Sequence, residues 1–161
     1  MFNMLPRQTL GQLWITLSVS HSREGGNPDC NYHYYMKLKT VQTKKVPAVG
    51  PYSQAAIVGN LIYTSGQIGL DGKTGVIVGG IEKQTEQVLY NLTEVLKSAG
   101  SDLKHVLKTT IYLKNMADFQ IVNEIYGSYF TEHKPARATI EVARLPKDVL
   151  IEIDAVAVTK E

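Results

Sequence analysis

The chain has 161 residues, 43% of them hydrophobic and 20% charged, with a formal net charge of +2. That is enough for one soluble globular domain with its own core. The charge is too small for a nucleic-acid footprint, with Lys44-Lys45 the sole adjacent basic pair, and no apolar run approaches the roughly 20 residues of a membrane-spanning helix.

The first 35 residues differ from the rest. Leu10 to Val19 is moderately apolar and follows Arg7, as in a secretion signal, but Gln12, Thr16 and Ser18 dilute it. Arg23 to Asp29 is turn-rich, and Cys30 to Tyr35 is polar and aromatic without a pattern. Residues 1–35 are therefore read as an N-terminal extension, either a disordered tail or the product of an upstream start codon. Met36 makes a natural first residue for the ordered domain, 36–161.

Ala55-Ala-Ile-Val58 and Leu61-Ile-Tyr-Thr64 flank Gly59-Asn60, which predicts a tight hairpin. Asp71 to Gly75 is a second turn. Ile81, Thr85, Val88, Leu89, Leu92, Val95 and Leu96 recur at helical spacing and make one apolar stripe, with Gly100 as the stop. Val106 to Lys114 alternates, so Leu107, Thr109, Ile111 and Leu113 are expected to face the core from one side of a strand. Asp118 to Thr131 reads as a second helix with Phe119, Val122, Ile125, Tyr126, Tyr129 and Phe130 on its buried side. Arg137 to Ala143 and Leu150 to Val158 are the last two strands, joined around Pro146. The order predicts an α+β domain in which two helices cover one face of a mixed sheet.

Several chemistries have no footing. Cys30 is the single cysteine, so neither an intrachain disulfide nor a thiolate metal cluster can form within one chain. His21, His33, His105 and His133 lack the spacing of helical metal pairs, and no metal site is expected. GxGxxG, the phosphate-binding Gly-Lys-Ser/Thr motif and GxSxG are all missing.

Three segments in series, Gly50-Pro-Tyr-Ser-Gln-Ala55, Tyr63-Thr-Ser-Gly-Gln-Ile68 and Pro135 to Asp148 running into Ile151 to Val156, resemble the RidA/YjgF family, also called the L-PSP endoribonuclease or translation-inhibitor family. The resemblance runs from Met36 to the C-terminus. It implies a chorismate-mutase-like fold and a cytoplasmic homotrimer with a central barrel and a cleft between each pair of subunits. It also implies cofactor-independent hydrolysis of 2-iminobutanoate and 2-iminopropanoate to 2-oxo acids and ammonia. The expected partners are thus a small imino or 2-oxo acid and two further copies of the chain, with no nucleic acid and no membrane.

Residue by residue, the resemblance gives Arg137 the substrate carboxylate, which a planar guanidinium holds bidentately. It gives Glu152 the role of acid and base toward the attacking water. Tyr52 packs along the ligand, and Ser65, Gly66 and the backbone at Thr139 line the site. Several well-known relatives carry cysteine where this chain has Thr139, which excludes thiol chemistry here. Read alone, Arg137 and Glu152 are ordinary exposed strand residues. If the last two strands form a hairpin near Lys147, Arg137 and Glu152 lie about 17 Å apart within a chain. A small acid cannot span that, so the two groups serving one ligand are expected to come from neighbouring chains. The readings left beside this one are a non-catalytic 2-oxo-acid-binding regulatory trimer and a single-stranded RNA endonuclease.

Overall fold

The computed structural model describes residues 14–19, 32–46, 48 and 50–160, with side chains from Met36 onward. β1 (Trp14–Val19) pairs antiparallel with β2 (Tyr32–Val41), Trp14 opposite Lys37 and Val19 opposite Tyr32. The extension anticipated over residues 1–35 thus includes strand at both of its described stretches, and Met36 falls inside β2. The rest of that expectation lies outside the described residues.

β3 (Ala55–Val58) and β4 (Leu61–Thr64) form the expected hairpin, with Gly59 in the left-handed conformation, φ 60°, that its tight turn requires. β5 (Gln67–Ile68) follows after a break at Ser65-Gly66. Next come α1 (Ile81–Ser98), β6 (Val106–Leu113), α2 (Phe119–Tyr129), β7 (Ala136–Glu141) and β8 (Ile151–Val158). The sheet runs β1-β2-β3-β4-β8-β6-β7, with β5 beside β8 beyond the end of β4. Only β6 and β7 run parallel among these pairs, so the sheet is mixed.

Both helices pack on one face. Val88, Leu89, Leu92, Val95 and Leu96 of α1 are fully buried against Ile111, Ile151, Ile153 and Ala157 of the sheet. Burying each such aliphatic side chain stabilises the fold by about 1.5–3 kcal/mol relative to exposure. α1 closes as its glycine foretold: Ser101 N–H donates to the Leu96 carbonyl and Gly100 N–H to the Lys97 carbonyl, with Gly100 at φ 78°. On α2, Val122 and Tyr126 are buried, and the Tyr126 hydroxyl meets that of Thr109 at 2.8 Å.

Three expectations need correction. β7 and β8 do not form a hairpin, because β6 lies between them. β6, α2 and β7 make a strand–helix–strand crossover, and a helical crossover returns the chain parallel to the strand it left. Leu107 does not face the core but is 47% exposed, since the register slips between Val106 and Lys108 and leaves Leu107 in a bulge. Phe119 is 39% exposed rather than buried. It opens α2, and its ring faces the Arg137 guanidinium, 5.7 Å from the centroid.

Candidate active site

The site forms where one sheet edge is interrupted. β4 pairs with β8 as far as Tyr63–Val156, and pairing resumes at Gln67–Ile153 and Ile68–Glu152. Ser65 and Gly66 fall in the gap. The Ser65 N–H donates to the Gln54 carbonyl at 2.9 Å and the Ser65 hydroxyl to the Ser53 carbonyl at 2.7 Å. These bonds tie the gap to the loop that carries Tyr52, whose N–H turns back to the Gly50 carbonyl. The result is an open cleft of about 460 Å³ lined by Tyr52, Ser65, Gly66, Ile68, Pro146, Lys147 and Glu152. Four of the six residues singled out in the sequence therefore converge, although Tyr52 and Glu152 are a hundred positions apart.

Glu152 lies over Gly66. A Cβ added to Gly66 would overlap the Glu152 carboxylate, approaching its Cδ to 2.6 Å and its Cγ to 2.9 Å. The glycine thus makes room for a carboxylate. No described residue donates a hydrogen bond to the Glu152 carboxyl. Its pKa is raised, first by burial and then by the negative charge of Asp154 on the same strand face. Asp154 in turn accepts from the Tyr112 hydroxyl at 2.8 Å. A half-buried carboxyl of raised pKa exchanges protons near neutrality more readily than an ordinary glutamate.

Arg137 and Thr139 stand elsewhere. Paired residues on adjacent strands point to the same side of a sheet. Arg137 is opposite Thr109, which faces the helices. Its guanidinium stacks over Tyr126 of α2, 4.9 Å from the ring centroid. Glu152 is opposite Tyr112, with its neighbours Ile151 and Ile153 turned into the core, and so projects from the helix-free face. Within one chain the two groups are on opposite faces. They are also offset by three residues and two strand spacings, about 10 Å in each direction. Thr139 shares the face of Arg137, and its buried Oγ1 has no hydrogen-bond partner among the described residues.

Sequence reading missed the polar groups that shape the cleft. Buried Gln54 donates to the Val46 carbonyl at 2.7 Å and anchors the Tyr52 loop. Asn91, on the apolar side of α1, donates to the carbonyls of Ile68 and Leu70 and holds β5. Gln84 accepts from Leu150 N–H at 2.8 Å and fixes the approach to β8. The available signal was amide side chains at the margins of a strong apolar stripe. A smaller depression of about 250 Å³ lies between Asp102, Lys104, Tyr129 and Glu132. It holds none of the anticipated residues, and Lys104 and Glu132 are committed to one another at 2.9 Å. Among the described residues no group of three His, Cys, Asp or Glu side chains could hold a metal, and no helix is long and apolar enough to cross a membrane.

A family model described as endoribonuclease L-PSP matches residues 42–159. The chain belongs to this family, the RidA/YjgF family to which its motifs were likened. The human protein named 2-iminobutanoate/2-iminopropanoate deaminase is 50% identical over 122 residues, 74% of this chain and 89% of that protein. The crystal structure of the YjgF gene product from E. coli superposes with a TM-score of 0.72 at 45% identity, covering 76% of this chain and 99% of that one. E. coli TdcF with bound serine, also a family fold, gives a TM-score of 0.72 at 37% identity over the same shares. These RidA/YjgF structures share the mixed sheet and paired helices described above.

Proposed function

We propose that this protein is a 2-iminobutanoate/2-iminopropanoate deaminase whose sites are completed between the subunits of a homotrimer. The observation that carries the reading is the division of the anticipated residues. Tyr52, Ser65, Gly66 and Glu152 line one cleft, while Arg137 and Thr139 sit on the opposite sheet face at the edge strand β7. The cleft holds no guanidinium fork for a carboxylate, its one cation being Lys147, and Arg137 and Thr139 of β7 bring no acid–base group for a water. A second copy laid along β7 supplies the missing half. The helix-free face presents Tyr63 and Ile140, 48% and 44% exposed, and closing three such faces around an axis would bury them in a barrel. Two relatives lend support: one is named a deaminase of these imines, and the other binds serine, a small molecule with a carboxylate beside a nitrogen-bearing carbon.

In this arrangement Arg137 of one subunit grips the substrate carboxylate as a planar fork, already aligned by its stack on Tyr126. Tyr52 and the Ser65–Gly66 gap confine the imine from the other subunit. Glu152 takes a proton from water as the oxygen adds to the C=N carbon, and delivers a proton to the nitrogen. The carbinolamine then collapses to the 2-oxo acid and ammonia. No redox change occurs, and the sum is one imine and one water giving one ketone and one ammonia. Such imines hydrolyse unaided, so positioning and one acid–base group suffice, the latter contributing about 10²–10⁴-fold.

The test is ammonia release from 2-iminobutanoate generated in place by threonine dehydratase, with wild type beside Arg137→Ala. Wild type should exceed the buffer blank and the variant should fall close to it. A wild-type rate equal to the blank, with 2-oxobutanoate still bound, would leave a binding protein instead.

A further inference from the structure

The cleft contains one cation that the hydrolysis does not use. Lys147 lines it together with Ser65, Gly66 and Glu152 and makes no ion pair among the described residues. Its backbone is unusual. Lys147 has φ 56° and ψ 22°, and Asp148 follows at φ 55°, so two consecutive residues with side chains occupy the left-handed region that favours glycine.

The surroundings impose that conformation. Leu145 and Val149 are buried on either side and pin both ends of the loop. Asp148 N–H donates to the Leu145 carbonyl at 3.1 Å, and Val149 N–H to the Pro146 carbonyl at 3.3 Å. Arg144 grips the Asp148 carboxylate with two hydrogen bonds, 2.8 and 3.1 Å. Left-handed non-glycine residues are strained and persist where the structure around them over-determines them, commonly at ligand sites. A glycine at 147 would take the same path without that strain, yet a lysine stands there, at the rim of a cleft with more room than a three-carbon acid needs.

We propose that Lys147 is a specificity residue for imino acids bearing a second carboxylate, such as 2-iminosuccinate. The inference rests on the deaminase reading above. The first carboxylate and the imine are then engaged by Arg137 and Glu152, and the side chain of the substrate extends along the cleft toward the Pro146–Asp148 loop. An ammonium there favours an anionic end group over a methyl. Its flexible stem lets it meet end groups of different reach.

The experiment compares kcat/KM for 2-iminosuccinate, made in place from aspartate by an amino-acid oxidase, with kcat/KM for 2-iminobutanoate. Wild type, Lys147→Met, Lys147→Gly and Lys147→Arg are assayed as full chains. The ratio of dicarboxylic to monocarboxylic imine should fall about tenfold in the Met and Gly variants, mainly through KM, and stay near wild type in the Arg variant. Lys147→Gly relieves the backbone, so a fall shared by Met and Gly belongs to the lost charge. An unchanged ratio in both, or wild type that hydrolyses 2-iminobutanoate but leaves 2-iminosuccinate at the blank rate, overturns the inference while the deaminase reading stands. If neither imine is accelerated, the deaminase reading fails. Calorimetric affinities for oxaloacetate against 2-oxobutanoate, in wild type and Lys147→Met, then decide on the lysine by the same ratio.

Discussion

Gly66 and Glu152 occupy each other's space: the carboxyl carbon of Glu152 lies 2.6 Å from where a Cβ on residue 66 would be. Glu152 is the far end of a flexible side chain, whereas the Gly66 backbone is tied between Ser65 and β5. In Gly66→Ala the carboxylate moves and the fold stays. The variant should keep its stability within about 1 kcal/mol and lose deaminase activity by about 10²-fold or more. Thermal unfolding and ammonia release, measured on one preparation, check both halves.

Glu152→Gln should keep 2-oxobutanoate binding and slow hydrolysis by about 10²–10⁴-fold. Its effect on stability has a definite sign. Folding raises the pKa of Glu152, so the folded state binds this proton more tightly than the unfolded chain. Stability from this group is present below the ordinary glutamate pKa and is lost as pH rises through the folded value. At pH 7 the neutral glutamine removes a buried charge, and Tm should equal or exceed wild type. By pH 4 the difference should vanish. A lower Tm for the variant at neutral pH contradicts the environment described for this carboxyl.

Away from the site, Asp102 joins the end of the chain to the loop after α1. Lys160 lies 2.7 Å away and His105 2.7 Å, and Lys104 N–H donates to the same carboxylate at 3.0 Å. The Lys160 ammonium, then the His105 ring, hold its carboxyl well below the usual range. A depressed pKa contributes stability above the ordinary aspartate value, lost as pH falls toward the folded one. The group is partly solvated, so Asp102→Asn should cost on the order of 1 kcal/mol at pH 7. The gap to wild type should close in acid. Urea titrations at pH 7 and pH 3 measure it.

The hairpin, α1 and most of its buried stripe, and the convergence of Tyr52, Ser65, Gly66 and Glu152 were readable because each rests on local pattern or on motifs. The neighbour of β7 was not. Two apolar runs joined by a short loop around Pro146 look like a hairpin, and nothing local to Arg137 or Leu150 reveals that β6 has already taken the place between them. The helix before β7 was the better guide, since a strand, a helix and a strand imply a parallel pair. In the observed order Arg137 and Glu152 are still about 10 Å apart both along and across the strands, and they lie on opposite faces of the sheet. The bulge at Leu107 and the left-handed pair Lys147-Asp148 had no sequence signal, since neither carries the glycine that usually marks such backbone.

Whether one ligand is served by two chains can be read from mixed oligomers. Arg137→Ala and Glu152→Gln are each made alone, then co-expressed at equal levels so that any oligomer mixes both chains. A site that takes Arg137 from one chain and Glu152 from the next is wholly wild type in about a quarter of the interfaces, and activity should recover to about a quarter of the wild-type rate. A mixture no more active than its two parents would contradict the shared site.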